Sequence, residues 1–366
     1  MGGPLSAGMN RRCREHLAVL RAAYQRAESL KCAVFGVLGD LYDNERPPPQ
    51  MTAAVQDIFP LPEEDTPAAN HPLGILLLGN HDMESTEADD HALGPLQDRC
   101  VVIDAPWRRS APAWRCELAL IPYEPGPAKE WLPKRMKTLL SASKTQTRVL
   151  GIHLGIMDEQ TPKYLQDAED AIDIRTLEQL CREHGVSYVF AGNWHDQRIW
   201  KRGDLRVVQV GALCPTGWDN PGIDEYGNLV ILDTETGVVS NEVIPGPRFL
   251  KLVEPDAAAW SAMNATIHTA AEQGHRVYLE VRAAVAQLDS LREQLLQWQS
   301  DGIIAGFDAR PSEKEAQAAA KRAADAVKSV SGLEERLAKY IENSAFPAGV
   351  DPARVHARVR RYLGWS

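Results

Sequence analysis

Four short apolar segments in the first part of the chain end in side chains that could do metal chemistry. The polar ends are Gly39-Asp40, Gly79-Asn80-His81-Asp82, Gly151-Ile152-His153 and Gly192-Asn193-Trp194-His195. Short apolar runs bounded by turn residues indicate buried parallel strands. In open α/β sheets, ligands bind at the carboxyl ends of such strands. Carboxylate, imidazole and amide oxygen atoms together suit a hard or borderline divalent metal ion.

This inventory fits a hydrolytic site with two metal ions, which needs ligands from several loops to activate water and stabilise a phosphoryl transition state. The candidate ligands are Asp40, Asn80, His153, Asn193 and His195. His81 is next to a ligand in the sequence but would point elsewhere, which suits a general acid or a stabiliser of developing charge. Asp82 could orient His81 by accepting its second N–H.

Length and composition indicate a globular protein with one or two domains. The chain has 366 residues, of which 44% are hydrophobic and 25% charged. Its net charge of −10 argues against non-specific affinity for nucleic acids, although metal ions or local basic patches can offset an acidic average. Six scattered cysteines without a Cys-x-x-Cys pair favour reduced thiols. No apolar run is long enough for a membrane span or a signal peptide, so we expect a soluble, cytoplasmic protein.

The hydrophobic pattern predicts an α/β protein in three parts. The first part, 1–245, alternates buried strands with helices and ends in a region, 198–245, predicted as antiparallel β-structure. Pro245-Gly246-Pro247 marks the predicted boundary. A smaller α/β domain is predicted at 246–310 and a helical C-terminal region at 311–366.

The four polar motifs, in this order, resemble those of the calcineurin-like metallophosphoesterase family, with Gly39-Asp40-x-x-Asp43 as the upstream motif. The resemblance implies a four-layer ββ sandwich flanked by helices, followed by a small C-terminal α/β capping domain and a helical tail. It also implies that Asp40 bridges two metal ions, that Asn80 and His153 bind the second ion and His195 the first, and that His81 is catalytic with Asp82 as its partner.

Three further segments resemble the DNA-repair exonuclease branch of that family, the nuclease subunit of SbcCD-type complexes and its phage relatives. They are Ile121-Pro122-Tyr123, Val210-Gly211-Ala212 and Pro245-Gly246-Pro247. The expectation is a DNA exo- or endonuclease in repair or recombination. Its cofactors would be two divalent ions, Mn²⁺ before Mg²⁺, Fe²⁺ or Zn²⁺. Its partners would be DNA and an SMC-like ATPase subunit, with a homodimer left open and no membrane partner.

Two departures from the family pattern affect the predicted site. Asn193 replaces the first histidine of the family's Gly-His-x-His motif; an asparagine oxygen can still bind a metal. The family's opening Asp-x-His motif is missing, and His16 is a poor substitute because no Asp lies two residues before it. The sequence-based expectation is that Met1 is an internal methionine taken as the start, which leaves the first metal site half-built.

Two alternatives to the nuclease stay open. One is a phosphatase or small-substrate phosphodiesterase that uses the same site; the other is a non-catalytic interaction subunit. Several further residues could contact a substrate or a partner, although packing or a solvated surface is the simpler prediction for each. They are Trp194, Trp218, Tyr226, His91, the acidic run 84–90, and Arg354, Arg358, Arg360 and Arg361.

Overall fold

A computed structural model describes residues 9–61, 71–83, 90–111, 114–141, 147–215, 217–218, 228–318, 321, 332, 339–341 and 351–362. These residues form a mixed α/β structure. They divide into two compact units. The first comprises Met1–Leu250, Thr266–Tyr278 and Ile303–Ala305, and the second comprises Lys251–Ala265, Leu279–Gly302 and Gly306–Ser366.

Two β-sheets carry the predicted strand ends. The first is parallel and contains β1 (Val34–Leu38), β2 (Leu73–Leu77) and β3 (Val101–Ile103) in that order. The second has the order β10-β11-β9-β6-β5-β4, formed by β4 (Trp107–Ala111), β5 (Cys116–Ile121), β6 (Thr147–His153), β9 (Val186–Gly192), β10 (Arg198–Arg202) and β11 (Leu205–Gln209). Its four inner strands are parallel and its two edge strands are antiparallel.

The predicted antiparallel region after residue 198 is only partly correct. The strand β11 pairs with β10 in antiparallel fashion but with β9 in parallel fashion. The hairpin of β12 (Asn228–Leu232) and β13 (Val239–Val243) is antiparallel as expected. Sequence reasoning missed β4, an edge strand with polar residues in its middle, and the three-residue pair β7 (Gly155–Met157) and β8 (Ala171–Asp173). Such short or polar strands give almost no periodic signal.

Helices cover the sheets, and two of them begin at a side-chain cap. In the first unit they are α1 (Arg11–Ser29), α2 (Pro49–Gln56), α3 (Ala128–Leu139) and α4 (Ile174–His184). The Asn10 side chain accepts a hydrogen bond from the N–H of Cys13 at 2.9 Å, so the predicted cap of α1 is confirmed. Asp173 caps α4 in the same way, and Gly185 ends that helix in the left-handed conformation.

Among the described residues, three hydrophobic clusters hold the first unit together. One joins α1 and α2 to the first sheet through residues such as Tyr24, Phe59 and Leu76. A second joins α3 and α4 to the second sheet. The third contains Ile75 and Leu77 of β2 and Leu120 of β5, so it lies between the two sheets. Successive residues of β2 point to opposite faces, which is why one strand supplies both clusters.

A buried ion pair fixes the register of the strand that ends in His153. Arg148 pairs with Glu117, its direct partner on β5, and both side chains are almost fully buried. Arg148 also donates to the backbone carbonyls of Leu140 and His184, which follow α3 and end α4. The guanidinium group therefore has both a counter-charge and backbone acceptors, as a buried charge requires.

The remaining strands and helices follow Pro245. The strands β14 (Pro247–Val253), β15 (Arg276–Ala283) and β16 (Gly306–Pro311) form a three-stranded sheet. The helices are α5 (Ala257–Glu272), α6 (Val285–Ser300) and Pro352–Tyr362. Most of the helical structure predicted between 312 and 343 lies outside the described residues. Within the described residues, no helix combines the length and hydrophobicity that crossing a bilayer would require.

Candidate metal centre

The predicted site residues lie at the carboxyl ends of four parallel strands, β1 and β2 in one sheet and β6 and β9 in the other. The carboxyl ends of strands from the two sheets meet there directly. Nδ1 of His153, the last residue of β6, donates to the backbone carbonyl of Leu38, the last residue of β1, at 2.6 Å. His153 itself is fully buried.

Three lone-pair donors converge at this point. Because Nδ1 of His153 carries the proton given to Leu38, Nε2 of a neutral imidazole has only a lone pair. That Nε2 atom lies 3.0 Å from Oδ1 of Asn80 and 3.4 Å from Oδ2 of Asp40. Without a cation between them, these atoms would repel one another. Either a proton on Nε2 or a metal ion can resolve this arrangement, so the donor set fits a divalent cation.

The electrostatics of Asp40 and His153 are coupled. Burial pushes the pKa of Asp40 upward, but the hydrogen bond and charge of His153 and the N–H of His81 outweigh it, so the pKa of Asp40 is lowered. Burial lowers the pKa of His153, but its contact with Asp40 reverses the direction and raises it. The site thus favours an ionised Asp40 beside a positively charged partner. A bound metal ion would supply that positive charge in place of a protonated His153.

Glycine precedes the polar residues because the strand ends approach too closely for a side chain. A Cβ atom on Gly39, whose φ is +93°, would lie 2.5 Å from Cε1 of His153. One on Gly79 would lie 2.9 Å from the same atom, and one on Gly192 would lie 3.1 Å from Nδ1. Three glycines from three strand ends therefore surround one imidazole ring.

Asp82 does not have its predicted role. Its buried carboxylate accepts three backbone N–H groups, from Asp40 at 2.9 Å, Gly79 at 3.0 Å and Tyr42 at 3.2 Å. Within the described residues it makes no hydrogen bond to His81, so the predicted orienting bond is wrong. The carboxylate points back under the loop, where it ties the turn after β1 to the turn after β2. Burial raises its pKa to about 6.

His81 is exposed beside the cluster. Its backbone N–H donates to Oδ1 of Asp40 at 3.0 Å, and its imidazole forms no hydrogen bond with the described part of the chain. An exposed imidazole next to the metal-ligand candidates remains available to a substrate.

The strand end of β9 supplies the remaining predicted ligands, which are arranged differently. Asn193 has a φ of +79°, and its amide nitrogen donates to the carboxylate of Asp170 at 2.7 Å, which leaves its oxygen as the available donor. His195 is half-buried at the same edge, and its backbone carbonyl accepts the N–H of Ala212. In the described residues, no three histidine, cysteine, aspartate or glutamate side chains form a metal cage. The structure therefore does not gather His195 with Asp40 and His153 into such a group.

Two residues to which the sequence pattern assigned no site role belong to the site: Tyr123, the last residue of the Ile121-Pro122-Tyr123 segment, and Asp170. Tyr123 meets the ring of His153 edge-on with 6.3 Å between centroids, and its backbone N–H donates to Leu78. Burial, together with the charges of Asp170, Glu169 and Asp40, raises the pKa of Tyr123. Its position at the end of β5 follows the same strand-end rule as the four motifs, so that rule could have found it. Asp170 precedes a three-residue strand and gave no comparable signal.

Gln209 was also missed, although it connects the two segments that follow β6 and β9. Its side chain is fully buried. Its oxygen accepts the N–H of Ile156 at 3.1 Å, and its nitrogen donates to the backbone and side-chain oxygens of Asp196 at 2.8 and 3.0 Å. Arg198 pairs with Asp196 and with Asp158, which closes a ring of polar contacts. This ring, which we call the Gln209 clamp, holds together the segments that leave His153 and His195.

The other residues that the sequence offered as metal ligands or as substrate or partner contacts mostly pack against, or hydrogen-bond to, neighbouring parts of the structure. His16 is largely buried in α1, and its pKa is lowered to about 4, chiefly by burial and by the charge of Arg12. Nδ1 of His91 accepts the N–H of Leu93. Trp194 packs against the backbone of Gly155, and Trp218 packs edge-on against Phe249. Tyr226, residues 84–89 and the side chain of Arg360 lie outside the described residues.

Comparison with known proteins gives distant structural likenesses only. No family model and no curated protein matches the sequence. TT1561 of Thermus thermophilus has a TM-score of 0.41 and 13% identity, covering 62% of this chain and 93% of its own. The phosphopantetheinyl hydrolase PptH from Mycobacterium tuberculosis has a TM-score of 0.34 and 14% identity, and the match covers 51% of this chain and 83% of PptH. GAP50, the anchor in the inner membrane complex of Plasmodium, has a TM-score of 0.39 and 11% identity, and the match covers 64% of this chain and 85% of GAP50. The function proposed for this chain therefore depends on its own residues.

Proposed function

We propose that this protein is a metal-dependent phosphodiester hydrolase with a metallophosphoesterase fold, a four-layer ββ sandwich flanked by helices. The observation that carries the proposal is the convergence of Nε2 of His153, Oδ1 of Asn80 and Oδ2 of Asp40. The three hydrophobic clusters, two between helices and a sheet and one between the sheets, support the layered arrangement.

In this proposal Asp40, Asn80 and His153 hold a divalent ion, and the oxygen of Asn193 and the imidazole of His195 contribute to a second. Bound divalent ions polarise a phosphoryl oxygen and lower the pKa of a bound water. Leu38 fixes the tautomer of His153 by accepting its Nδ1 proton, and this directs the Nε2 lone pair to the metal position. His81 lies beside Asp40, exposed, where it can protonate a leaving oxygen or stabilise a transition-state charge.

We infer DNA as the substrate and Mn²⁺ as the preferred ion. The segments that resemble the SbcCD-type nuclease branch support this inference. The further strands and helices after Pro245 also support it, because a stand-alone enzyme for small substrates would not need them. An SMC-like ATPase subunit is the partner that the same resemblance implies. Hydrolysis of small phosphoesters is the second candidate, because the cluster by itself does not select a substrate.

The test is Mn²⁺-dependent hydrolysis of a linear DNA duplex and, separately, of bis(p-nitrophenyl) phosphate. We expect wild-type activity on both, a loss of at least about 100-fold in His81→Ala, and Mn²⁺ binding retained in that variant. His153→Ala should lose Mn²⁺ binding, measured by electron paramagnetic resonance. His184→Ala, a histidine at the end of α4 away from the cluster, is the matched control and should behave like wild type.

The outcomes separate the candidate functions. Cleavage of the small ester without cleavage of DNA would identify a small-substrate enzyme. Mn²⁺ binding without hydrolysis of either substrate would identify a non-catalytic protein. If His153→Ala and His184→Ala bound Mn²⁺ equally well, the proposed metal centre would be wrong.

A further inference from the structure

The first turns of α1 line a cavity that contains three arginine side chains. The cavity has a volume of about 380 Å³, and Arg11, Arg14, Glu15 and Arg276 lie in its wall together with Pro245 and Pro247. All of these residues belong to the first compact unit. None of them has a role in the candidate metal centre.

A buried carboxylate organises two of the arginines. The Glu15 side chain is only 7% exposed, and its Oε1 atom accepts from Nε of Arg11 at 3.0 Å and from Nη1 of Arg276 at 3.1 Å. The Tyr278 hydroxyl donates to Oε2 at 2.8 Å. Because its oxygens are already engaged by three donors, Glu15 fixes the two guanidinium groups and presents little free negative charge to a ligand.

The charges in this wall do not balance. Three guanidinium groups face one carboxylate, which leaves a formal excess of two positive charges in a protein whose net charge is −10. The side chain of Arg14 makes no ion pair or hydrogen bond with the described residues. The side chains of Arg11 and Arg276 remain 47% and 58% exposed, so solvent and ligands can reach them.

We propose that this cavity, the arginine cavity, binds a phosphate group. Guanidinium groups match the oxygens of phosphate in pairs, and groups already held in place lose less entropy when they bind. A dianionic phosphate would neutralise the two excess charges. The inference requires neither a metal ion nor hydrolysis, so it goes beyond the proposed function. The phosphate could belong to a free phosphate compound or to a nucleic-acid backbone.

The experiment measures binding in EDTA at low salt, with inorganic pyrophosphate by calorimetry and a fluorescein-labelled 20-base-pair DNA duplex by anisotropy. Arg14→Ala is the test variant, because Arg14 has no partner whose loss would disturb the described fold. Arg21→Ala is the matched control, since Arg21 is exposed on the same helix two turns away, about 10 Å along its axis. Arg14→Lys keeps the charge but loses the paired hydrogen bonds.

We expect Arg14→Ala to weaken binding about 10-fold, Arg14→Lys to give an intermediate loss, and Arg21→Ala to stay within about twofold of wild type. Loss for both probes, or for the duplex alone, supports the arginine cavity and identifies nucleic acid as the source. In Arg14→Ala, the slope of log K against log salt concentration for duplex binding should then be smaller in magnitude by about one unit. Loss for pyrophosphate alone supports a free phosphate compound.

Equal affinities of Arg14→Ala and Arg21→Ala for both probes would overturn the proposal, as would the absence of binding by the wild-type protein. Because the assay contains no metal ion, its result is independent of hydrolysis. A protein that binds through Arg14 without hydrolysing phosphoesters would retain the arginine cavity and refute only the proposed function.

Discussion

Replacing Gln209 with methionine tests whether the segments after β6 and β9 must be clamped together. Methionine keeps the approximate length and volume of the side chain but removes the three hydrogen bonds that the Gln209 side chain contributes to the clamp. The N–H of Ile156, a fully buried residue, would lose its partner, which costs about 1–3 kcal/mol. The side chain of Asp196 is about one-third exposed and can turn to water, so the bond lost by its carboxylate adds less. We expect a total loss of about 2–4 kcal/mol.

The assay is urea unfolding followed by circular dichroism, together with Mn²⁺ binding under conditions where each variant is folded. Gln179→Met is the matched control, because Gln179 is exposed on α4 and, among the described residues, its side chain bonds only to Glu183, one turn away. This control should change stability by less than about 0.5 kcal/mol. Loosening the clamp should weaken Mn²⁺ binding about 10-fold, as is typical of residues that support metal ligands.

A second substitution at the same position distinguishes the clamp from general packing. Gln209→Glu can still accept the N–H of Ile156, but its charge would oppose the carboxylate of Asp196. The pKa of the new carboxyl should therefore be raised in the folded state, and the variant should lose stability as pH rises from 5 to 8. Stability of Gln209→Met equal to that of Gln179→Met would refute the clamp. Reduced stability with unchanged Mn²⁺ affinity would refute only its role in positioning the ligands.

Three other changes have distinct expected results. Gly79→Ala should lower the unfolding free energy by more than about 2 kcal/mol and abolish Mn²⁺ binding. Gly94→Ala is the control and should change neither, because the space around its Cβ position is open. Equal effects of the two substitutions in urea unfolding and Mn²⁺ titration would contradict the close approach of the strand ends. Glu117→Gln leaves Arg148 without its buried counter-charge and should cost about 3–5 kcal/mol in urea unfolding, and a loss below about 1 kcal/mol would show that the pair is not needed. His16 has a pKa of about 4 in the folded state against 6.5 in the unfolded state, so its contribution to the unfolding free energy falls by up to about 3 kcal/mol as the pH drops from 6.5 to 4. His16→Leu should therefore flatten that part of the stability–pH profile. An unchanged profile would contradict the lowered pKa of His16.

The strand ends could be predicted because buried parallel strands are apolar throughout and end abruptly. The segments before Asp40, Asn80 and His153 all have this form, and the structure places these three residues together. The direction of a side chain could not be predicted in the same way. Asp82 follows His81 in the sequence, yet its carboxylate turns toward the backbone of Asp40, which is distant in the sequence.

Long-range polar contacts explain the remaining differences. Gln209 occupies the last position of an apolar strand, and the pattern alone predicts only that this strand is buried. Its partners, Ile156 and Asp196, belong to segments that come together only after β6, β9 and β11 have paired. Asp170 reaches Asn193 by the same route, through pairing of β7 and β8. Such contacts depend on sheet order, which local periodicity does not determine.

The glycines carry as much information about the site as the metal-ligand candidates do. Nδ1 of His153 can donate to the carbonyl of Leu38 only if β1 and β6 approach each other directly, and a side chain at residue 39, 79 or 192 would prevent this. The same approach directs Nε2 toward Asn80 and Asp40. A glycine followed by a lone-pair donor is therefore one structural requirement rather than two. Its repetition at three strand ends, around one histidine ring, argues for a shared site rather than unrelated polar turns.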